Sequence, residues 1–252
     1  MVIGTGVDAK DKVVIAQLEA LGFSDDLVEK PRRLIASVTG REKTGKTHFA
    51  LTAPPPIFFF DIDIGTEGVV HKFQEQGKQV FLYDVRVPKG AEKSVYQPMW
   101  GGVRQRLSLA YTLRRGTVIV DTSSEGFELA RLAHFGKLTQ VMPHHYTEVN
   151  SEWRELMRQA YDSDMNTIFI HKMKPKYVNN VRTGEYELAG FGEMPYLSQI
   201  NLVTHRQDSD EEGAFPDFSV SVTDCRHNAA LNGQVLRGPM CDFAFLLGIV
   251  HD

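Results

Sequence analysis

Cysteine is almost absent from the sequence, with Cys225 and Cys241 as the whole complement. They form no CxxC pair, and no histidine cluster stands at zinc-ligand spacing, so neither a disulfide framework nor a structural metal is indicated. Long apolar runs are missing as well. The longest, at 57–60 and 243–250, fall far short of the ~20 residues that cross a bilayer. The N-terminus lacks the basic-then-apolar order of a signal peptide, so the expected location is the cytoplasm, with no membrane partner. An excess of positive charge is also lacking: 28 Lys and Arg face 32 Asp and Glu, for a net charge of -4. Such a chain does not coat nucleic acid with its whole surface, and any DNA contact has to be focal.

What is present describes a globular α/β protein. The chain has 252 residues, 42% hydrophobic and 24% charged, enough for one domain with peripheral additions. Residues 1–31 are a lead-in segment with a helical stretch at 13–21 that ends at Gly22, and Pro31 punctuates the junction to the main domain, 32–252. Within that domain residues 33–38, 57–62, 80–85, 118–121, 167–171 and 200–204 are short apolar runs with strand character. Segments of helical spacing such as 104–114 and 151–161 separate most of them. The alternation predicts a mostly parallel central sheet flanked by helices. Residues 218–224 and 234–236, divided by Asn232-Gly233, predict antiparallel strands added at one edge.

The first strand runs into Gly40-Arg41-Glu42-Lys43-Thr44-Gly45-Lys46-Thr47, with His48 next in a helix that must stop before Pro54-Pro55-Pro56. In the G-x4-G-K-T pattern the glycines let backbone N–H groups wrap phosphates, Lys46 reaches the β and γ phosphates, and Thr47 offers a hydroxyl to Mg2+. The expected ligand is therefore ATP with Mg2+. Such a site also needs a carboxylate at the end of a buried strand to hold the metal, and Thr117-Val118-Ile119-Val120 running into Asp121 supplies it. Hydrolysis needs a group that orients water. Asp61, Asp63 and Glu67 compete for that role after the second strand; alternation puts Asp61 and Asp63 on one face, and Glu67 also suits a helix start. Asp63 is the preferred choice.

Taken together, the P-loop, the acidic end of the second strand, Val118-Ile119-Val120-Asp121 and Thr167-Ile168-Phe169-Ile170-His171-Lys172 resemble the RecA-type recombinase core over residues 33–226. The resemblance implies a RecA-like P-loop ATPase. It places the catalytic carboxylate on Asp63, one methylene shorter than the family's glutamate, and puts His171 and Lys172 at the position that senses the γ phosphate, where an amide is usual. The compact length, the His171-Lys172 step and the hairpin-like Thr183-Gly184 are similar to the small Sak-type single-strand annealing proteins of bacteriophages. That similarity implies single-stranded DNA as partner, a role in recombination or annealing, and company with a single-strand DNA-binding protein. The family also implies a homo-oligomer with ATP at subunit interfaces, completed by a basic residue from the neighbour, for which Arg226 is the positional match.

Residues 172–182 carry four cations and no acid. Lys172, Lys174, Lys176 and Arg182 would track phosphates and Tyr177 would stack on a base, although charged runs are also common on merely solvated hairpins. Lys137, His144, His145 and Tyr146 are a second, sparser candidate, with Glu152 and Trp153 expected just inside a helix capped at Asn150 or Ser151. Two other functions fit the same core: a helicase or helicase loader, and a nucleotide-switched regulatory module that binds no DNA.

Overall fold

Apolar runs rich in Val, Ile and Phe become strands only where both faces can be covered, because each residue then packs on alternate sides of the sheet. The computed structural model describes residues 9–25, 33–63, 68–137, 142, 145–208 and 216–251. The chain divides into two units, Met1–Lys30 and Pro31–Asp252. The first contains α1, Ala9–Ala20, which begins four residues ahead of the expected position 13.

In the second unit the strands are β1 (Ile35–Gly40), β2 (Ile57–Asp61), β3 (Val80–Asp84), β4 (Thr117–Asp121), β5 (Asn166–Ile170), β6 (Met173–Val178), β7 (Val181–Leu188), β8 (Ile200–Gln207), β9 (Asp217–Cys225) and β10 (Val235–Arg237). The helices are α2 (Lys46–Leu51), α3 (Val69–Glu75), α4 (Lys93–Ala110), α5 (Ser123–Phe135), α6 (Tyr146–Asp162), α7 (Met194–Leu197) and α8 (Phe243–His251). Eight strands form one sheet in the order β10-β9-β8-β1-β5-β4-β2-β3. Its pairings are parallel except β8 with β9 and β9 with β10. This is the mostly parallel sheet with antiparallel strands at one edge that the sequence pattern predicts.

Strand alternation separates two cores. Leu34, Ala36, Val38, Ile119, Ile168 and Ile170 face Phe49 and Leu51 of α2, Phe73 of α3 and Phe243 and Leu246 of α8. Ile35, Val118, Val120 and Phe169 face Trp100 and Leu107 of α4, Leu129 of α5 and Trp153 and Leu156 of α6. Trp100 and Trp153 stack with ring centroids 5.8 Å apart. Trp153 is buried, so its truncation to alanine costs ~3–5 kcal/mol.

Two local expectations are corrected. Helix α6 begins at Tyr146 with His145 in the N-cap position, so Glu152 and Trp153 lie well inside it and neither Asn150 nor Ser151 is its cap. The hairpin turn after β5 is not at Thr183-Gly184, which lie within β7. The chain reverses at Asn179-Asn180, both with positive φ, 51° and 63°, the backbone that a two-residue hairpin requires and that asparagine tolerates. Gly184, φ 81°, sits where the β6–β7 register shifts between Pro175 and Tyr177, as a bulge demands.

Register brings the carboxyl ends of the central strands to one crest: Gly40 pairs with Thr204, Val38 with Ile170, Ile170 with Asp121, and Asp121 with Asp61. In open α/β sheets this end is where ligands bind.

Candidate functional site

Between β1 and α2 the chain makes a tight loop whose shape only its glycines permit. A Cβ on Gly40 would stand 2.2 Å from Thr204 Oγ1 and 2.7 Å from Thr44 Oγ1, and Gly45 has φ 86°, a conformation costly for any other residue. The Thr44 and Thr204 hydroxyls are 2.6 Å apart, which ties the loop to the neighbouring strand. The loop opens on a cavity of about 870 Å³ lined by Gly40 through His48, by Asp63 and Asp121, and by Lys172, Met173, Tyr186 and Phe218. That volume is within the usual range for small-molecule sites.

Lys46 Nζ donates to the carbonyls of Gly40, 3.0 Å, and Arg41, 2.7 Å. Burial lowers its pKa, with Asp121, Asp63 and Glu42 pulling it back up and Lys172 lowering it further. Thr47 Oγ1 donates to Asp121 Oδ2 at 2.6 Å, so the two groups expected to hold a metal already meet across α2 and β4. Asp121 is 4% exposed. Burial, with the charges of Asp61 and Asp63, raises its pKa to about 6 against the lowering effect of the Thr47 hydrogen bond and Lys46. A hydroxyl beside a carboxylate that burial leaves short of positive charge is a fitting donor pair for a hard divalent cation such as Mg2+. Among the described residues no three His, Cys, Asp or Glu side chains form a metal cage of their own. Thr47 and Asp121 therefore suit a cation that takes its remaining ligands from phosphate and water.

Asp63 lines this cavity with its side chain 33% exposed, and Lys172 Nζ approaches Asp63 Oδ2 to 2.9 Å. Asp61 is 2% exposed, and its Oδ1 accepts from the Asp63 N–H at 3.3 Å. β2 ends at Asp61, before Asp63, and the charges of both carboxylates raise the pKa of Asp121. Glu67, the third carboxylate considered, lies outside the described residues.

Other expected site residues are elsewhere. His171 is 0% exposed, and its ring nitrogens have no hydrogen-bond partner among the described residues. Burial lowers its pKa to about 3, so it is a neutral core histidine and does not line the cavity. Arg226 follows β9, which runs antiparallel to β8 and ends beside Ile200, at the opposite end of the sheet from the P-loop. Its guanidinium donates to Tyr161 Oη, 3.1 Å, and the Tyr196 carbonyl, 2.8 Å.

Lys172, expected among the DNA-facing cations, instead points into the cavity. The others stay on the hairpin, but they are not a bare cation track: Lys174 pairs with Glu187 at 3.2 Å and Lys176 with Glu185 at 2.8 Å. Tyr177 is 59% exposed, while Arg182 lies against Tyr186, Nη2 to Oη 3.2 Å. At the second candidate Lys137 pairs with Glu92 at 2.8 Å and Tyr146 stacks on Phe127; His144 lies outside the described residues.

Sequence reasoning missed Glu125, Tyr186 and Phe218. Glu125 Oε1 accepts from Lys172 Nζ at 2.6 Å. Its signal was its place four residues after Asp121, on the first turn of the next helix. Tyr186 reaches the P-loop because it pairs with Pro175, and the Arg41 guanidinium lies 5.3 Å over its ring. The Asn179-Asn180 step was the available signal for that register.

No family model matches the sequence, and no curated protein does. Among solved structures the chain is similar to a KaiC-like protein from the hyperthermophilic archaeon Pyrococcus horikoshii OT3, with 14% identity over 82% of this chain and 89% of that one and a TM-score of 0.45. It is also similar to the RadB recombinase, with 13% identity over 82% and 86% and a TM-score of 0.47. The fold itself is a mostly parallel sheet with the glycine-rich loop between β1 and α2 and antiparallel strands beyond β8.

Proposed function

We propose that the chain binds ATP with Mg2+ at the P-loop cavity, hydrolyses it, and uses that cycle in single-stranded DNA recombination or annealing. The observation that carries the nucleotide part is the meeting of Lys46, the Thr47–Asp121 pair and Asp63 around one cavity. On this reading the N–H groups of 40–47 and the Lys46 ammonium hold the β and γ phosphates. Thr47 and Asp121 hold Mg2+, which supplies charge neutralisation on the phosphates. Asp63, which lines the same cavity, would orient a water for attack on the γ phosphorus and accept its proton. His171 takes no part.

For DNA, the support is the solvent-facing Tyr177 beside Lys174, Lys176 and Arg182, on a hairpin whose other end lines the nucleotide cavity through Met173 and Tyr186. Assembly into a homo-oligomer, partnership with a single-strand DNA-binding protein and a bacteriophage origin belong to the same proposal. Arg226 would serve only a neighbouring copy's site. Among the described residues no helix is long and apolar enough to cross a membrane.

One observation favours a second reading, a nucleotide-switched regulatory module without DNA: Glu185 and Glu187 already neutralise two of the hairpin's cations. Titrating labelled single-stranded DNA with and without Mg2+ and ATP, at two salt concentrations, separates the two. Salt-sensitive binding supports the DNA role; nucleotide binding with no affinity for the strand supports the regulatory one.

A further inference from the structure

Phe218 is a ring that the core could have taken and did not. In β9 residues 218, 220 and 222 alternate onto one face, and Val220 and Val222 are buried in the core that α2 covers. Phe218 extends that row past the core, lines the cavity and is 41% exposed. Its backbone is fixed in the ladder opposite Arg206 of β8. A Cβ on Gly45 would stand 3.3 Å from Phe218 Cδ1, so the bare glycine lets the ring lie against the loop immediately before Lys46. A large apolar ring left open to water forgoes the burial that its size would bring.

The cavity's other side chains mostly serve charge. Arg41, Lys43, Lys46, Lys72 and Lys172 line it as cations and suit phosphate oxygens. Tyr186, the second ring, is already engaged: the Arg41 guanidinium lies 5.3 Å over it, and Arg182 Nη2 donates to its hydroxyl at 3.2 Å. A nucleotide whose phosphates occupy the loop carries its base beside that loop, and a flat, neutral base needs a flat apolar partner rather than more charge. We propose that Phe218 is this partner: the base of the bound nucleotide stacks on its ring, and the contact makes the site one for nucleotides rather than for bare polyphosphate. The proposal rests on the nucleotide reading of the P-loop. Phe218 touches the base and no reacting atom, so it sets affinity for the whole nucleotide, diphosphate and triphosphate alike.

The test is calorimetric binding, with Mg2+, of a non-hydrolysable ATP analogue, of ADP and of inorganic tripolyphosphate to the full chain. In Phe218→Ala the analogue and ADP should both bind about tenfold weaker, while tripolyphosphate changes less than about twofold. Phe218→Trp should hold both nucleotides at least as tightly as the parent. Because Trp100 and Trp153 are buried, the added indole is the exposed one, and its emission should change with ADP and not with tripolyphosphate. A ring that merely props the loop against Gly45 would weaken all three ligands alike in Phe218→Ala, and that result overturns the proposal. So does a Phe218→Ala that binds the nucleotides as the parent does, or an indole in Phe218→Trp that responds to tripolyphosphate as it does to ADP. A parent that binds neither nucleotide nor tripolyphosphate overturns the P-loop reading and this proposal with it, whereas a parent that binds tripolyphosphate as tightly as the analogue overturns only the base contact.

Discussion

Replacing Asp121 by Asn should separate what the nucleotide needs from what the fold prefers. The carboxyl is 4% exposed, and burial together with Asp61 and Asp63 pushes its pKa from 3.8 to about 6. A carboxyl with a raised folded pKa favours the native state while protonated and loses that advantage as pH rises from about 3.8 to about 6; above that window the loss is complete. At 1.36 kcal/mol per pKa unit, ionised Asp121 costs the ligand-free fold about 3 kcal/mol. An amide carries no charge, and its Oδ1 can still accept from Thr47 Oγ1. Asp121→Asn should therefore be more stable than the parent by about 2–3 kcal/mol at pH 8, roughly 5–10 °C in melting temperature for a unit of this size, and equal to it near pH 3.5. Urea denaturation at both pH values without Mg2+, compared between the two proteins, isolates this group. The same variant should lose Mg2+-dependent ATP binding, since the charge that holds the ion is gone. Equal pH dependence in parent and variant, or a variant less stable at pH 8, would refute the argument that Asp121 is held in the fold against its own ionisation.

Three further outcomes are expected. Lys46→Ala should lose most ATP affinity in calorimetry with the fold intact, because its ammonium bonds loop carbonyls and, on the proposed reading, holds the phosphates. Asp63→Asn should keep ATP binding while steady-state hydrolysis falls about a hundredfold or more; an active variant would transfer the role to Glu67. Lys174→Ala, Lys176→Ala and Arg182→Ala together should weaken single-strand binding and lower the slope of log K against log salt by less than the roughly 2 that three unpaired cations would give, because two of them are already paired with glutamates. Tyr177→Ala alone should cost ~1–3 kcal/mol with the slope unchanged.

The parallel sheet was legible because strands buried on both faces must be written as unbroken apolar runs, as in 57–60, 118–120 and 168–170. The tight loop between β1 and α2 was legible because its turn admits only glycine at Gly40 and Gly45. Direction was harder. His171 and Lys172 were grouped as one functional step, yet neighbours at the end of a strand point opposite ways, and the structure sends one into the core and the other into the cavity. Asp61 and Asp63 were paired by strand alternation, but β2 ends at Asp61, two residues before Asp63. The hairpin's glutamates follow its cations in the sequence, but their neutralising contacts depend on a register set at Asn179-Asn180, which the Thr183-Gly184 step obscured. That Glu125 lies against Lys172 depends on where the lysine reaches, which no local pattern contains.

The contact between Thr44 and Thr204 has a consequence for how the site comes into being. The loop is encoded near the start of the chain, yet the wall that Gly40 presses against is supplied 160 residues later, and the Thr52 hydroxyl just past α2 receives the Phe243 N–H from 191 residues away. Closing such spans is slow relative to local helix formation. On a ribosome the loop therefore acquires its full outline only after β8 has emerged, and α2 gains the Thr52–Phe243 contact only after the start of α8 has followed. A nucleotide captured by the nascent chain would report completion of the whole sheet rather than of the segment that carries the motif.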